Sequence, residues 1–450
     1  MDAVVCTVSG RMQSCTEFSP SSHVTRHCLP AFHCRRFPSG GIGRTLAAKL
    51  KPDYLPGAGS LAFSSSCSSS SSSPSFLSSL PKGANEDDAE YIRKCVELAR
   101  KALGFTSPNP MVGCIIVKDG HIVGEGFHPK AGEPHAEVFA LREAGANAKG
   151  STVYVSLEPC NHYGRTPPCS NALVKACVSR VVVGMVDPNP LVSGKGVETL
   201  RKAGIEVITG VESQLCEALN EAYIHRIQNK RPFVTLRFSQ SFDGVFLEST
   251  PVDCTTGSYY SKLLQENDAL IALDSALSED IKLLSSEVGC KQPLRIILSN
   301  DLKLPLESNV FDTSHAPSLV IARQQALVHD LEKSSRTGCQ TMESLLLERG
   351  VELVAVPELN LKSALDVCYD RGFSSVLIDS RGRDSDTNFL GRQAIEDGVV
   401  EKVIVDIFPS IGSDKGSGSG LLMDGGSLPL ERLSSRISGS HIILEGYMMR

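Results

Sequence analysis

The chain has 450 residues, 45 Lys+Arg against 51 Asp+Glu, 41% hydrophobic and 21% charged residues, 15 Cys and no Trp. That length accommodates two or three domains with real cores, and a net charge of −6 argues against a dedicated nucleic-acid binder, which carries a strongly basic domain. Apolar runs such as residues 181–186 fall far short of the roughly 18 residues that span a bilayer, and the Cys usage fits reduced thiols with one or two metal-ligand sets better than a disulfide scaffold.

Residues 1–80 differ from everything after them. They hold 19 Ser, nearly unbroken from Ser64 to Ser73, and no acid lies between Glu17 and Asp53, a window that carries Arg26, Arg35, Arg36, Arg44, Lys49 and Lys51. A Ser-rich, Arg-containing, acid-poor leader without an apolar h-region reads as a chloroplast transit peptide and predicts a protein of the plastid stroma; a disordered tail with no address is the alternative. The leader holds seven basic and three acidic residues, so the remainder carries a net charge of −10. An anionic ligand must therefore find a local positive patch.

From Asp87 the pattern turns helical, with Ile92, Cys95, Val96, Ala99, Ala102 and Leu103 at i, i+3, i+4 spacing, acids near the start, and Gly104 at the end. Strands at 112–117 and 122–127 flank Lys118-Asp119-Gly120, a hairpin turn. Next come a helix over 134–144, a strand over 152–156, a helix over 170–178 and a strand over 180–186. A helix at 197–203, a strand at 205–209 and one long helix over 212–230 complete a three-layer α/β/α unit spanning 87–230. A second α/β unit, 231–450, follows with strands at 233–238, 269–273, 294–298, 318–321, 351–356, 375–378 and 402–407, and helical runs such as 342–349 and 361–371. The Gly/Ser-rich stretch 413–420 is read as a loop without chemistry.

The chemistry concentrates in His135-Ala136-Glu137, then Glu158-Pro159-Cys160 and, eight residues on, Cys169. One imidazole and two thiolates supply three ligands to a tetrahedral Zn²⁺ and leave a fourth position for water, whose pKa the ion lowers toward neutrality. Glu137 stands two residues from His135 and can shuttle protons without ligating, the logic of zinc nucleobase deaminases. Cys160 and Cys169 are too far apart for one helical turn, so a loop through Gly164 and Pro167-Pro168 must bring them together. His162 is read as a pocket residue, with a fourth zinc ligand as the alternative reading.

These residues closely resemble the riboflavin-pathway pyrimidine deaminase family. The resemblance rests on Thr106-Ser107-Pro108-Asn109-Pro110-Met111-Val112-Gly113, Gly132-Glu133-Pro134-His135-Ala136-Glu137, the C-x8-C loop and Asp187-Pro188-Asn189-Pro190. It implies a cytidine-deaminase-like fold and hydrolytic removal of the C2 amino group of 2,5-diamino-6-ribosylamino-4(3H)-pyrimidinone 5′-phosphate. By the same resemblance His135, Cys160 and Cys169 are the zinc ligands, Glu137 the proton shuttle, and Asn109, His128, Asp187 and Asn189 substrate contacts. Arg165 and Thr166 lie where the ribose or phosphate would be met. Ser193-Gly194-Lys195-Gly196 is expected to add backbone donors and a cation near a phosphate.

The second unit resembles the family's reductase domain, of dihydrofolate-reductase-like fold, and Ser241-Phe242-Asp243-Gly244 keeps its opening motif. Elsewhere the pattern is broken. Cys254-Thr255-Thr256 stands for Trp-Ile-Thr, Ala272-Leu273-Asp274-Ser275 for a glycine-containing turn, Glu279-Asp280-Ile281 for Asp-Asn-Pro, and Asp379-Ser380-Arg381 for the Glu-Gly-Gly phosphate loop. Side chains there oppose the close backbone approach that a cofactor phosphate needs. The expectation is a zinc deaminase with a degenerate reductase domain that does not bind NADPH, acting on a small phosphorylated pyrimidine, without nucleic-acid or membrane partners. The resemblance also suggests a homo-oligomer. The rival readings are a bifunctional deaminase–reductase, a nucleic-acid deaminase and a scaffold with structural zinc.

Overall fold

Two β-sheets, each sandwiched by helices, organise the chain. The computed structural model describes residues 80–162, 167–190, 192–247, 255–277, 283–380, 385–411 and 429–449. The expected leader up to residue 79, Arg165, Thr166, Cys254, the 279–281 stretch, Arg381 and the 413–420 loop lie outside these residues.

The first part runs α1 (Glu86–Arg100), β1 (Gly113–Lys118), β2 (His121–Phe127), α2 (Ala136–Ala144), β3 (Thr152–Leu157), α3 (Cys169–Lys175) and β4 (Arg180–Met185). It continues through α4 (Lys195–Lys202), β5 (Glu206–Thr209), α5 (Ser213–Leu219) and α6 (Glu221–Asn229). Its five strands lie in the order β2-β1-β3-β4-β5, with β1 antiparallel to both neighbours and β3, β4 and β5 parallel. Alternate side chains of β1, β3 and β4 pack against Ile92, Val96 and Ala99 of α1 on one face, and against Ala136, Ala140, Leu173 and Leu200 of α2, α3 and α4 on the other. The three-layer expectation is met. So is the hairpin, where Asp119 and Gly120 both take positive φ, 51° and 76°, as a tight primed turn requires.

Local departures have physical causes. Asp88, read as one of the acids favouring the helix start, closes a capping box with Asn85 but is fully buried, accepting from Tyr154 Oη and, bidentately, from Arg180. The single helix expected over 212–230 is two, because Asn220 leaves helical geometry at φ −113°, ψ 20°. Its side-chain amide accepts from Met111 N at 2.8 Å and donates to Met111 O at 3.0 Å. A side chain thus pairs with the backbone of the 106–112 loop as a neighbouring strand would.

The second part runs β6 (Phe233–Ser241), α7 (Tyr259–Glu266), β7 (Ala269–Leu273), β8 (Leu294–Ser299), β9 (Ser318–Arg323), α8 (Gln324–Thr337) and α9 (Met342–Glu348). After these come β10 (Glu352–Val356), α10 (Leu361–Asp370), β11 (Ser375–Ser380), α11 (Ser385–Glu396), β12 (Lys402–Phe408), β13 (Leu430–Ser438) and β14 (His441–Met448). The sheet order is β10-β9-β8-β7-β11-β6-β12-β14-β13, parallel except for the last two pairings. All seven expected strands are present. The β13–β14 hairpin was not expected, since β13 lies at the sheet edge with nearly every side chain exposed and carries no alternating apolar pattern. No helix among the described residues is long and apolar enough to cross a membrane.

Candidate active site and metal centre

Three elements deliver the central residues. His135 is the N-cap residue of α2, in extended backbone, and Glu137 lies in the first turn of that helix. Cys160 follows β3, and Cys169 opens α3 directly after Pro168, whose φ of −54° leads the chain into the helix. The loop between the two thiols is pinned at its ends: Ser170 N donates to Cys160 O at 3.2 Å, and Ser170 Oγ donates to Asn161 Oδ1 at 2.8 Å.

His135 Nδ1 lies 3.5 Å from Cys160 Sγ and 3.4 Å from Cys169 Sγ, and the three donor atoms fall within 4.8 Å of one another. Tetrahedral zinc with ordinary Zn–S and Zn–N bonds would set such an N···S edge at about 3.6 Å. The donor set and spacing therefore fit that ion. The hydrogen bond between the two thiols lowers Cys160, with His135 adding to that, and raises Cys169, so the pair shares a proton that metal binding would have to displace. Glu137 is buried, and that burial, reinforced by the charge on Cys160, pushes its carboxyl up to about 7.

A cavity of about 390 Å³ opens above this group. Asn109, His128, His135, Glu137, Cys160, His162, Asp187 and Asn189 all line it; Cys169 joins the same cluster but is buried behind the wall, and the expected residues 193–196 do not line the cavity. The backbone N–H of Asn109 bonds Thr106 O at 2.8 Å in a tight turn that presents its side chain. His128 Nδ1 lies 3.1 Å from Pro134 O, so it carries the proton; Nε2, 3.3 Å from Asn109 Nδ2, then accepts from that amide. Burial holds the His128 pKa below its usual value, in keeping with a neutral ring. Asp187 accepts from Tyr223 Oη at 3.1 Å and from Asn189 N at 2.9 Å, and burial raises its carboxyl.

The expected phosphate cradle at 193–196 is corrected by one carboxylate. Glu158 is buried and accepts from Gly194 N and Gly196 N at 2.9 Å each, from Val197 N at 3.2 Å and from Asp187 N at 3.3 Å. The amide donors at the start of α4 are thus consumed inside the protein, and a Cβ on Gly196 would stand 2.0 Å from Pro159 O. Lys195 is exposed and does not line the cavity. Glu158, noted in the sequence only for its place beside Pro159-Cys160, also lines the wall, as do residues the sequence reading did not single out: Tyr223, Arg226 and Ile227 of α6, and Tyr369 of α10 in the second part. Tyr223, Arg226 and Ile227 share one face of α6 at i, i+3, i+4 spacing, a pattern visible in the sequence; Tyr369 carries no such clue.

A zinc-deaminase type of centre on a cytidine-deaminase-like sheet, followed by a reductase-like sheet, defines the class. Residues 85–185 match the cytidine and deoxycytidylate deaminase zinc-binding region, and residues 232–444 match the RibD C-terminal domain. The chain is 46% identical to riboflavin biosynthesis protein PYRD, chloroplastic, of Arabidopsis thaliana, covering 80% of this chain and 83% of that protein. It is 41% identical to riboflavin biosynthesis protein RibD of a Synechocystis strain, over 72% of this chain and 85% of that one. Among solved structures, Acinetobacter baumannii RibD aligns with a TM-score of 0.65 at 32% identity, covering 81% of this chain and 99% of its own. The chain belongs to the RibD family of riboflavin biosynthesis proteins.

Proposed function

We propose that this chain hydrolyses the C2 amino group of 2,5-diamino-6-ribosylamino-4(3H)-pyrimidinone 5′-phosphate, giving 5-amino-6-ribosylamino-2,4(1H,3H)-pyrimidinedione 5′-phosphate and ammonia. The observation that carries this reading is the convergence of His135, Cys160 and Cys169 beside buried Glu137 at the base of a cavity. Those three residues would hold Zn²⁺, which when bound supplies the Lewis acidity that makes water nucleophilic near neutral pH. Glu137 would take one proton of the attacking water and give it to the ring nitrogen, then take the second from the newly formed C2 hydroxyl and deliver it to the amine, which leaves as ammonia as the C2 carbonyl forms. A buried carboxyl, whose neutral form burial favours, is suited to hold and release a proton in this way. Asn109 spends an amide N–H on His128, so its carbonyl oxygen is left to accept from the pyrimidine. Asp187 and Asn189 bound the far side of the base; His162, Arg165 and Thr166 serve the ribose phosphate.

In the same reading, residues 87–230 form the deaminase domain, and residues 231–450 form a reductase-like domain that does not use NADPH. Asp274 and Ser275 form a 3-10 turn after β7 where the family has glycine, and buried Asp379 and Ser380 end β11. Residues 1–80 act as the plastid address, supported by the chloroplastic plant relatives. The test is ammonia release from the diaminopyrimidine phosphate by purified protein of measured zinc content. Zinc-loaded protein that releases none refutes the deaminase, and substrate-dependent NADPH oxidation refutes the degenerate second domain.

A further inference from the structure

The cavity over Glu137 is walled by the carboxyl groups of Glu137, Glu158 and Asp187, a poor environment for an anion. Among its described lining residues one Lys or Arg is present, Arg226, half-buried on α6. Its guanidinium lies 3.9 Å over the ring centroid of Tyr369. Nη1 donates to Phe373 O and Nη2 to Tyr369 O, each at 2.9 Å. Both acceptors lie at or just past the C-terminal end of α10, where the helix dipole is negative.

These partners fix the guanidinium without neutralising it. Carbonyl oxygens and an aromatic face orient a cation; Asp268 and Asp370 act on it electrostatically, yet no described carboxylate forms an ion pair with it, and two of five N–H donors are engaged. The second sheet braces the same pocket elsewhere: Ser107 Oγ donates to Asp268 Oδ2 at 2.7 Å, beside Pro108, which packs against Gly372.

We propose that Arg226 binds the phosphate of the substrate, and that Tyr369 and the 369–373 backbone of the RibD C-terminal domain are what hold it over the pocket. This rests on the deaminase reading above. A half-buried, pre-oriented guanidinium is suited to bidentate phosphate recognition. It also gives the second domain a role in the first domain's chemistry that needs no cofactor.

The experiment compares full-length zinc-loaded protein on the phosphorylated substrate and on its dephosphorylated counterpart, and measures ribose 5-phosphate binding by calorimetry. Arg226→Gln keeps hydrogen-bond donors and loses the charge. It should lower the ratio of kcat/KM between the two substrates by about tenfold or more, mainly through KM. Tyr369→Ala should lower the same ratio, and Tyr369→Phe should lower it less. A purely structural Arg226 would reduce both substrates together and leave the ratio intact, which overturns the proposal; so does a ratio that responds to Arg165→Gln and not to Arg226→Gln. If the wild type releases no ammonia from either substrate, the deaminase reading has failed. Ribose 5-phosphate binding still decides Arg226: weakened by Arg226→Gln it stands, and unchanged it falls.

Discussion

Each part of the molecule gathers a cluster of ionisable side chains, half-buried to buried at a cavity in the first and fully buried in the second, and the two are built to opposite ends. In the first, His135, Cys160, Cys169 and Glu137 converge on a space beneath a cavity. In the second, Arg237 on β6 donates to Asp379 of β11 at 2.8 Å and to Asp406 of β12, while Tyr260 Oη donates to the other oxygen of Asp379 at 2.6 Å. Those groups converge on one another. All four are buried, and the ring of Tyr260 lies 4.7 Å from the Arg237 guanidinium carbon. Even so, Arg237 Nε and Asp406 Oδ1 have no hydrogen-bond partner among the described residues. Ionisable groups that face a cavity remain available for chemistry, and burial raises the Glu137 carboxyl there, whereas charge paired with charge fixes a packing arrangement.

The sharpest break with this contrast would come at Glu137. Glu137→Gln should cut ammonia release by about 10²–10⁴-fold while zinc content stays at the wild-type level; loss of the metal would move Glu137 into the ligand set. Cys169→Ala should instead lose zinc, as read by metal analysis, and lower the melting temperature. In the second cluster, Arg237→Met strands two buried carboxylates and should cost about 3–5 kcal/mol in denaturant unfolding. Adding Asp379→Leu and Asp406→Leu should recover that loss, because an apolar replacement removes all the charges together. An Arg237→Met variant that folded normally but lost turnover would show that the two clusters are not distinct in kind.

Smaller effects sharpen the picture. Asn220→Ala leaves Met111 N–H and C=O without their partner and should cost about 1–3 kcal/mol, with a raised KM because Asn109 rides on the same loop. The smallest effect concerns Asp88. Burial alone would raise its carboxyl, but hydrogen bonds from Arg180, from the Asn85 backbone N–H and from Tyr154 Oη, with Arg180's charge, hold it below its usual value. A depressed folded-state value contributes stability above the unfolded pKa, and this is lost as pH falls through the folded value. Melting temperature should therefore drop more steeply on acidification below about pH 4 in the wild type than in Asp88→Asn.

The central site was legible because its chemistry sits in short contiguous motifs, in which His135 and Glu137 share one helix start and Cys160 and Cys169 bracket one loop. What escaped depended on distant partners. Asn220 breaks a helix for the sake of Met111, 109 positions away. The glycines at 194 and 196 looked like an anion cradle until Glu158, a residue noted only for its place beside Pro159-Cys160, took their amides. Tyr369 reaches the cavity from α10 of the second part, and no local pattern marks it. Strand β13, exposed along its length, gives no burial periodicity to read.

The seam between the two sheets also bears on how the protein can be shortened. The Arg231-Pro232 junction looks like the natural place to trim the chain to a minimal catalyst. Yet the acceptors of Arg226, the acceptor of Ser107 and the glycine against Pro108 all lie after it. The hydroxyl of Tyr447 likewise donates to Glu221 at 2.7 Å from near the far end of the sequence. A fragment ending at residue 230 would keep every proposed zinc ligand and still lose the outer wall of its pocket.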